Sequence, residues 1–192
     1  MKKSAPLFIA LVPFLWLLQG CEFSVKPPGG LKKFFATEAD TRYYERKCAN
    51  LVDQMDGKME EYGIRRIAVI DFVDIEGKVS ELGKFLAAKL MVQIPKKSPF
   101  IVVQKGHVDM ALRDLQISPM ESYTLQTTKD IGNKLGVDGL LLGKIVDLGT
   151  NIDINLKLID VNTGDLIATA SESLARTKYA VEMSNRYTGS AH

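Results

Sequence analysis

Two histidines, two cysteines and one tryptophan in 192 residues leave this chain few of the groups that catalysis or metal binding commonly uses. His107 stands beside Gly106 and His192 is the last residue, so neither has the Ser and orienting acid that a nucleophilic triad requires. Two histidines and one available cysteine do not complete a closed zinc shell. Charge of one sign is also lacking, with 25 Lys and Arg against 23 Asp and Glu. Apart from Lys96-Lys97 there is no basic cluster of the kind that grips phosphate backbones, so nucleic acid is not an expected partner. Nor is there a long hydrophobic run. The apolar stretch from Leu7 to Leu18 is interrupted by Pro13 and falls short of the about 20 residues that a spanning helix needs.

That stretch has another use. Lys2 and Lys3 precede it and Gly20 follows it, which is the layout of a secretory leader. Leu18-Gln19-Gly20-Cys21 resembles the bacterial lipobox, which implies removal of residues 1–20, a diacylglycerol on the Cys21 thiol and an N-acyl chain of the palmitate type on its amino group. These covalent lipids are the only cofactors expected, and several acyl chains together make attachment to a membrane stable. Removal of the leader takes two lysines and no acid, so the mature chain is formally neutral. Cys48 is then the only thiol, and no internal disulfide can form. It falls within an apolar helical stripe, which favours a packed thiol over intermolecular pairing or reactivity. Residues 21–36, with Pro27-Pro28 and Gly29-Gly30, read as a lipidated tether; ten such residues, fully extended, reach about 30 Å.

From residue 37 to 176 the chain is patterned for a folded domain. A helix is predicted from about Glu38 to Tyr62, capped by Thr37 and stopped by Gly63, with Tyr44, Cys48, Leu51, Val52, Met55, Met59 and Tyr62 on one face and a weak point at Gly57. Arg66–Phe72 reads as a strand and Ser80–Ile94 as a helix ended by Pro95. Phe100–Gln104 reads as a second strand, with helices near Val108–Leu115 and Thr124–Leu135. Gly139–Val146 is an unbroken apolar run, as in a central strand. Ile152, Ile154, Leu156 and Leu158 alternate with Asp153, Asn155 and Lys157, giving the next strand one wet face. The turns Gly149-Thr150-Asn151 and Asn162-Thr163-Gly164 join strands three, four and five, the last about Asp165–Leu174, into an antiparallel meander. The expected fold is thus α/β, a mixed five-stranded sheet in the order β-α-β-α-α-β-β-β with helices packed on it, after one longer N-terminal helix. Residues 177–192 show no period and read as a loose tail.

Ile67-Ala68-Val69-Ile70-Asp71-Phe72, the helix with Leu82-Gly83 and Leu86-Ala87, and Val102-Val103-Gln104 recur in a familiar order with Leu135-Gly136-Val137-Asp138-Gly139-Leu140-Leu141-Leu142-Gly143 and Leu158-Ile159-Asp160-Val161-Asn162-Thr163-Gly164-Asp165. Over about Ile64 to Ala175 this resembles the FlgO and CsgG families of outer-membrane lipoproteins, whose domain is similar to the amino-terminal domain of TolB, and it is closest to the FlgO type. The resemblance implies a periplasmic domain that works by protein contacts rather than as an enzyme, in support of a flagellar or secretion-related structure. It leaves open a homo-oligomer and, as an alternative, an activator of a peptidoglycan synthase. CsgG-type channels need inserted barrel strands, and the tight turn at Gly149 leaves no room for them. By the same analogy Glu22, which is not Asp, favours the outer membrane, with the domain facing the periplasm.

One cluster keeps a ligand-binding alternative alive. Asp71, Asp74 and Glu76 fall where the first strand meets its helix, the edge at which open α/β sheets bind ligands. They are the metal or small-ligand candidates, although a single loop offers too few oxygens for a calcium site and a solvated acidic loop is the preferred reading. Gly139 to Lys144 lacks the spacing and the Ser or Thr of a phosphate loop. Gly136, Gly139, Gly143 and Gly164 read as structural positions.

Overall fold

The computed structural model describes the backbone of residues 29–187 and the side chains of residues 41–187. The chain divides between Ala36 and Thr37, and the unit that begins at Thr37 holds the sheet. The elements are α1 (Gly29–Glu61), β1 (Arg66–Val69), α2 (Glu81–Lys97), β2 (Ile101–Val102), α3 (Lys105–Asp114), α4 (Leu125–Leu135), β3 (Gly139–Asp147), β4 (Asn151–Asp160), β5 (Leu166–Ala175) and α5 (Lys178–Ser184). The five strands lie in the order β2-β1-β3-β4-β5. β1 runs parallel to β2 and β3, and β3, β4 and β5 are antiparallel. This is the mixed α/β sheet and the meander that the hydrophobic periods predict.

Strand alternation assigns the two faces. Leu141, Leu158 and Ala168 stand side by side, then Gly143, Leu156 and Ala170, and then Ile145 and Ile154. With Ile67, Val69, Ile152 and Leu174 they pack against Cys48, Leu51, Val52, Met55 and Met59 of α1 and against Leu82, Leu86, Leu90 and Ile94 of α2. A smaller core on the opposite face joins Ala68, Ile70, Leu140 and Leu142 to Val108, Ala111 and Leu112 of α3 and Ile131 and Leu135 of α4. Gly143 makes a close approach possible, because a Cβ there would meet the Phe72 ring at 2.1 Å.

Helix α1 also closes the outer edge of β5. The Gln54 amide donates to Ser171 O and accepts from Ser171 N, at 3.1 and 3.0 Å. The Tyr43 hydroxyl accepts from Ala175 N at 2.7 Å. Glu172 takes Lys47 at 2.6 Å and Asn50 at 3.0 Å. An edge strand satisfied in this way presents fewer free backbone groups to a foreign strand.

Four expectations are corrected. The first helix begins at Gly29, not near Glu38, so Thr37 is no N-cap and residues 29–36 of the expected tether are helical. Helix formers such as Lys33 and Ala36 before Thr37 and Glu38 and Ala39 after it let one helix run through a residue that elsewhere starts one. It also runs unbroken through Gly57, whereas Tyr62 lies beyond its last turn and is exposed. Helix α2 passes Pro95 and stops at Lys97. A proline in the last turn forfeits one intrahelical bond, and Ser98 N still donates to Ile94 O at 3.0 Å. The C-terminal segment is not loose as far as Tyr187. Thr177 caps α5, Ala180 and Met183 are buried, Glu81 N donates to Arg186 O at 2.8 Å, and Tyr187 bridges Ser80. Seven residues hold too little period to announce a helix; what they bury is supplied by α2.

Candidate interaction surface

Cys21, the expected lipidation site, and His192 lie outside the described residues. His107 is exposed in the first turn of α3. Cys48 is fully buried, and burial pushes its thiol up to about 12, so it is a packing group and not a nucleophile at neutral pH.

The acidic candidates do not converge. Asp71 is buried at the end of the first strand and pairs through Oδ2 with Lys105 Nζ at 2.9 Å, while its Oδ1 has no hydrogen-bond partner among the described residues. Asp74 turns its Oδ1 to Glu76 N and Lys78 N, at 2.8 and 2.9 Å, and so shapes its own loop. Glu76 points at Lys78 Nζ, 2.6 Å away. The three carboxylates therefore hold three different partners. Among the described residues no group of three His, Cys, Asp or Glu is arranged to hold a metal ion. The glycines play the structural parts expected of them, with Gly136 at φ +61° ending α4 and Gly164 at φ +77° in the hairpin. Gly139 to Lys144 lies inside β3.

The recessed surface that sequence reasoning did not assemble is on the sheet itself. Helices α3 and α4 cover the end of one face that carries Leu140 and Leu142, and further along the same face the residues turn polar. Register places Leu142, Lys157 and Thr169 in one row and Lys144, Asn155 and Ser171 in the next. A cleft of about 540 Å³ lies there. Glu121, from the connection between α3 and α4, reaches over it and contacts Lys144 Nζ at 2.7 Å and Lys157 Nζ at 3.2 Å. Those two hydrogen bonds hold its carboxyl below the usual range. Tyr123 fixes the same connection, accepting from Met120 N at 3.1 Å and donating to Ser118 O at 2.9 Å. The wet alternation of β4 put Lys157 and Asn155 on this face; nothing in the sequence announced Glu121.

A second recess, between α1 and α2, is lined by Arg42, Glu45, Arg46, Gln93 and Lys96. Glu45 is paired with Lys89 at 3.0 Å, and that contact holds its carboxyl low.

Among solved structures the chain is similar to the LpoB C-terminal domain from Escherichia coli, at 17% identity over 69% of this chain and 98% of that one, with a TM-score of 0.55. The LpoB C-terminal domain from Salmonella enterica matches at 17% identity and TM-score 0.53, with the same coverage. At such identities the likeness is one of fold. No curated protein sequence matches the chain significantly. The family model described as FlgO protein matches residues 45–179, from within α1 to the start of α5 and thus through the whole sheet, and the chain belongs to the FlgO family.

Proposed function

We propose that this protein is a lipoprotein of the bacterial envelope, held through Cys21 to the periplasmic face of the outer membrane, that acts by non-catalytic contacts with other envelope proteins in assembling or supporting a flagellar or secretion-related structure. The observation that carries this reading is the order of the chain: a segment with the layout of a leader, ending Leu18-Gln19-Gly20-Cys21, precedes a FlgO-family domain at residues 45–179. The separate engagement of Asp71, Asp74 and Glu76 supports contact over chemistry. Photo-crosslinking from exposed positions in intact cells, with mass spectrometry of the mature N-terminus, tests it. The expected outcome is a triacylated Cys21 and reproducible capture of one envelope protein, lost when Cys21→Ser leaves the chain unanchored. An unmodified thiol, or a chain captured by nothing and recovered as a free monomer, overturns the proposal. Capture of a peptidoglycan synthase would move the role from surface structure to cell-wall synthesis.

A further inference from the structure

Lys144 and Lys157 occupy neighbouring strands on one face, Lys144 opposite Asn155 and Lys157 two residues further along β4. Two ammonium groups so close repel, and the chain brings Glu121 from 23 and 36 residues away to bridge them. The three groups still sum to one positive charge. Around them Asn155 and Thr169 present an amide and a hydroxyl that bond to no protein group among the described residues. Lys144, Lys157 and Glu121 keep 27%, 36% and 41% of their side-chain surface exposed. Ion pairs this open to water hold weakly, so another carboxylate can replace Glu121 at little cost.

We propose that this cleft docks an extended peptide segment of a partner that carries a carboxylate side chain. Lys144 and Lys157 clamp that carboxylate, Asn155 and Thr169 bond the peptide, and Glu121 is a tethered competitor that fills the clamp in the free protein. Charge complementarity identifies the occupant, since the chain's own occupant is a carboxylate and its displacement leaves two cations facing one anion. The inference deepens the proposed function and rests on its premise that the protein works by protein contacts.

The test is fluorescence anisotropy on the full lipidated chain in detergent, with a labelled decapeptide of alternating Glu and Ser and its Gln-for-Glu counterpart as probes. The Glu peptide binds and the Gln peptide does not. Glu121→Gln tightens binding about threefold or more by removing the competing charge. Combined Lys144→Gln and Lys157→Gln weakens it about tenfold, as does raising salt from about 0.05 to 0.3 M. Asn155→Asp, which adds a negative charge in the cleft and leaves the bridged triad in place, also weakens it and serves if the double variant does not fold. Unchanged affinity in Glu121→Gln or Asn155→Asp overturns the inference. So does equal occupancy by acetate or inorganic phosphate, which would make the cleft a small-anion site. If cells yield a crosslinked partner while the peptide fails, this inference falls and the proposed function stands; if the peptide binds while no partner is captured, the proposed function falls and takes with it the cleft's role as a partner site, leaving only its preference for acidic peptide.

Discussion

Gly143→Ala is the substitution whose effect the packing defines most sharply. A Cβ on residue 143 would stand 2.1 Å from Phe72 Cδ1, 2.3 Å from Cγ and 2.5 Å from Cε1, where carbon atoms settle at about 3.5–4.0 Å. The ring must therefore retreat by more than about 1 Å, yet Phe72 has no exposed surface into which to move. Overpacking of this kind costs about 1–3 kcal/mol. Removing a glycine from a strand returns about 0.5–1 kcal/mol, but a contact with three ring atoms lies at the severe end, so a net loss of about 2 kcal/mol is expected. For a chain of this length that lowers the thermal midpoint by about 4–8 °C. Urea unfolding followed by far-UV circular dichroism measures it, and Phe72→Leu supplies the control. The smaller side chain is destabilising alone but makes room for the new methyl, so the double variant should lose at least about 1 kcal/mol less than the two single losses together. A neutral Gly143→Ala, or single effects that simply add, would refute the packing argument.

Three further outcomes follow from the same structure. Gly57→Ala, with nothing within 4 Å of the new methyl in the interior of α1, should stabilise by about 0.5–1 kcal/mol in the same urea assay. Cys48 should resist a thiol reagent at pH 8 in the folded protein and react at once in urea. Because burial raises its folded pKa from 9.0 to about 12, the unfolded chain releases this proton first, so stability falls as pH rises above about 9, and a Cys48→Ala variant should show a shallower alkaline decline. Truncation after Arg176 removes Met183 and Ala180 from the larger core and should cost about 2–3 kcal/mol; a truncated chain with an unchanged midpoint would mean that α5 contributes nothing.

Much of the domain was legible because each element's period states which of its sides is buried. The stripe through Cys48, Leu51, Val52, Met55 and Met59 packs as its spacing predicts, and the alternation of Ile152 to Leu158 gives the covered and wet faces of β4. The boundaries were less legible. Thr37 is a good cap by type but stands between helix formers, and Pro95 costs α2 one bond to the turn before it without stopping the helix at that residue. The acidic candidates do not converge, for a related reason. Asp71, Asp74 and Glu76 are close in sequence, but the loop sends the first inward to Lys105 and the others to local backbone and to Lys78.

By itself the amino-acid sequence determined the order of helices and strands from α1 to β5, the faces they bury and the likeness to the FlgO family, because all of these are properties of neighbouring residues or of motifs in a line. The tertiary structure alone decided which distant groups meet: Gln54 on the edge of β5, Lys105 on Asp71, α5 on α2, and Glu121 between Lys144 and Lys157. Such pairs depend on how elements dock and in what register. Charged and polar side chains carry no period that reveals their partners, so the cleft existed only once the sheet and the connection above it were in place.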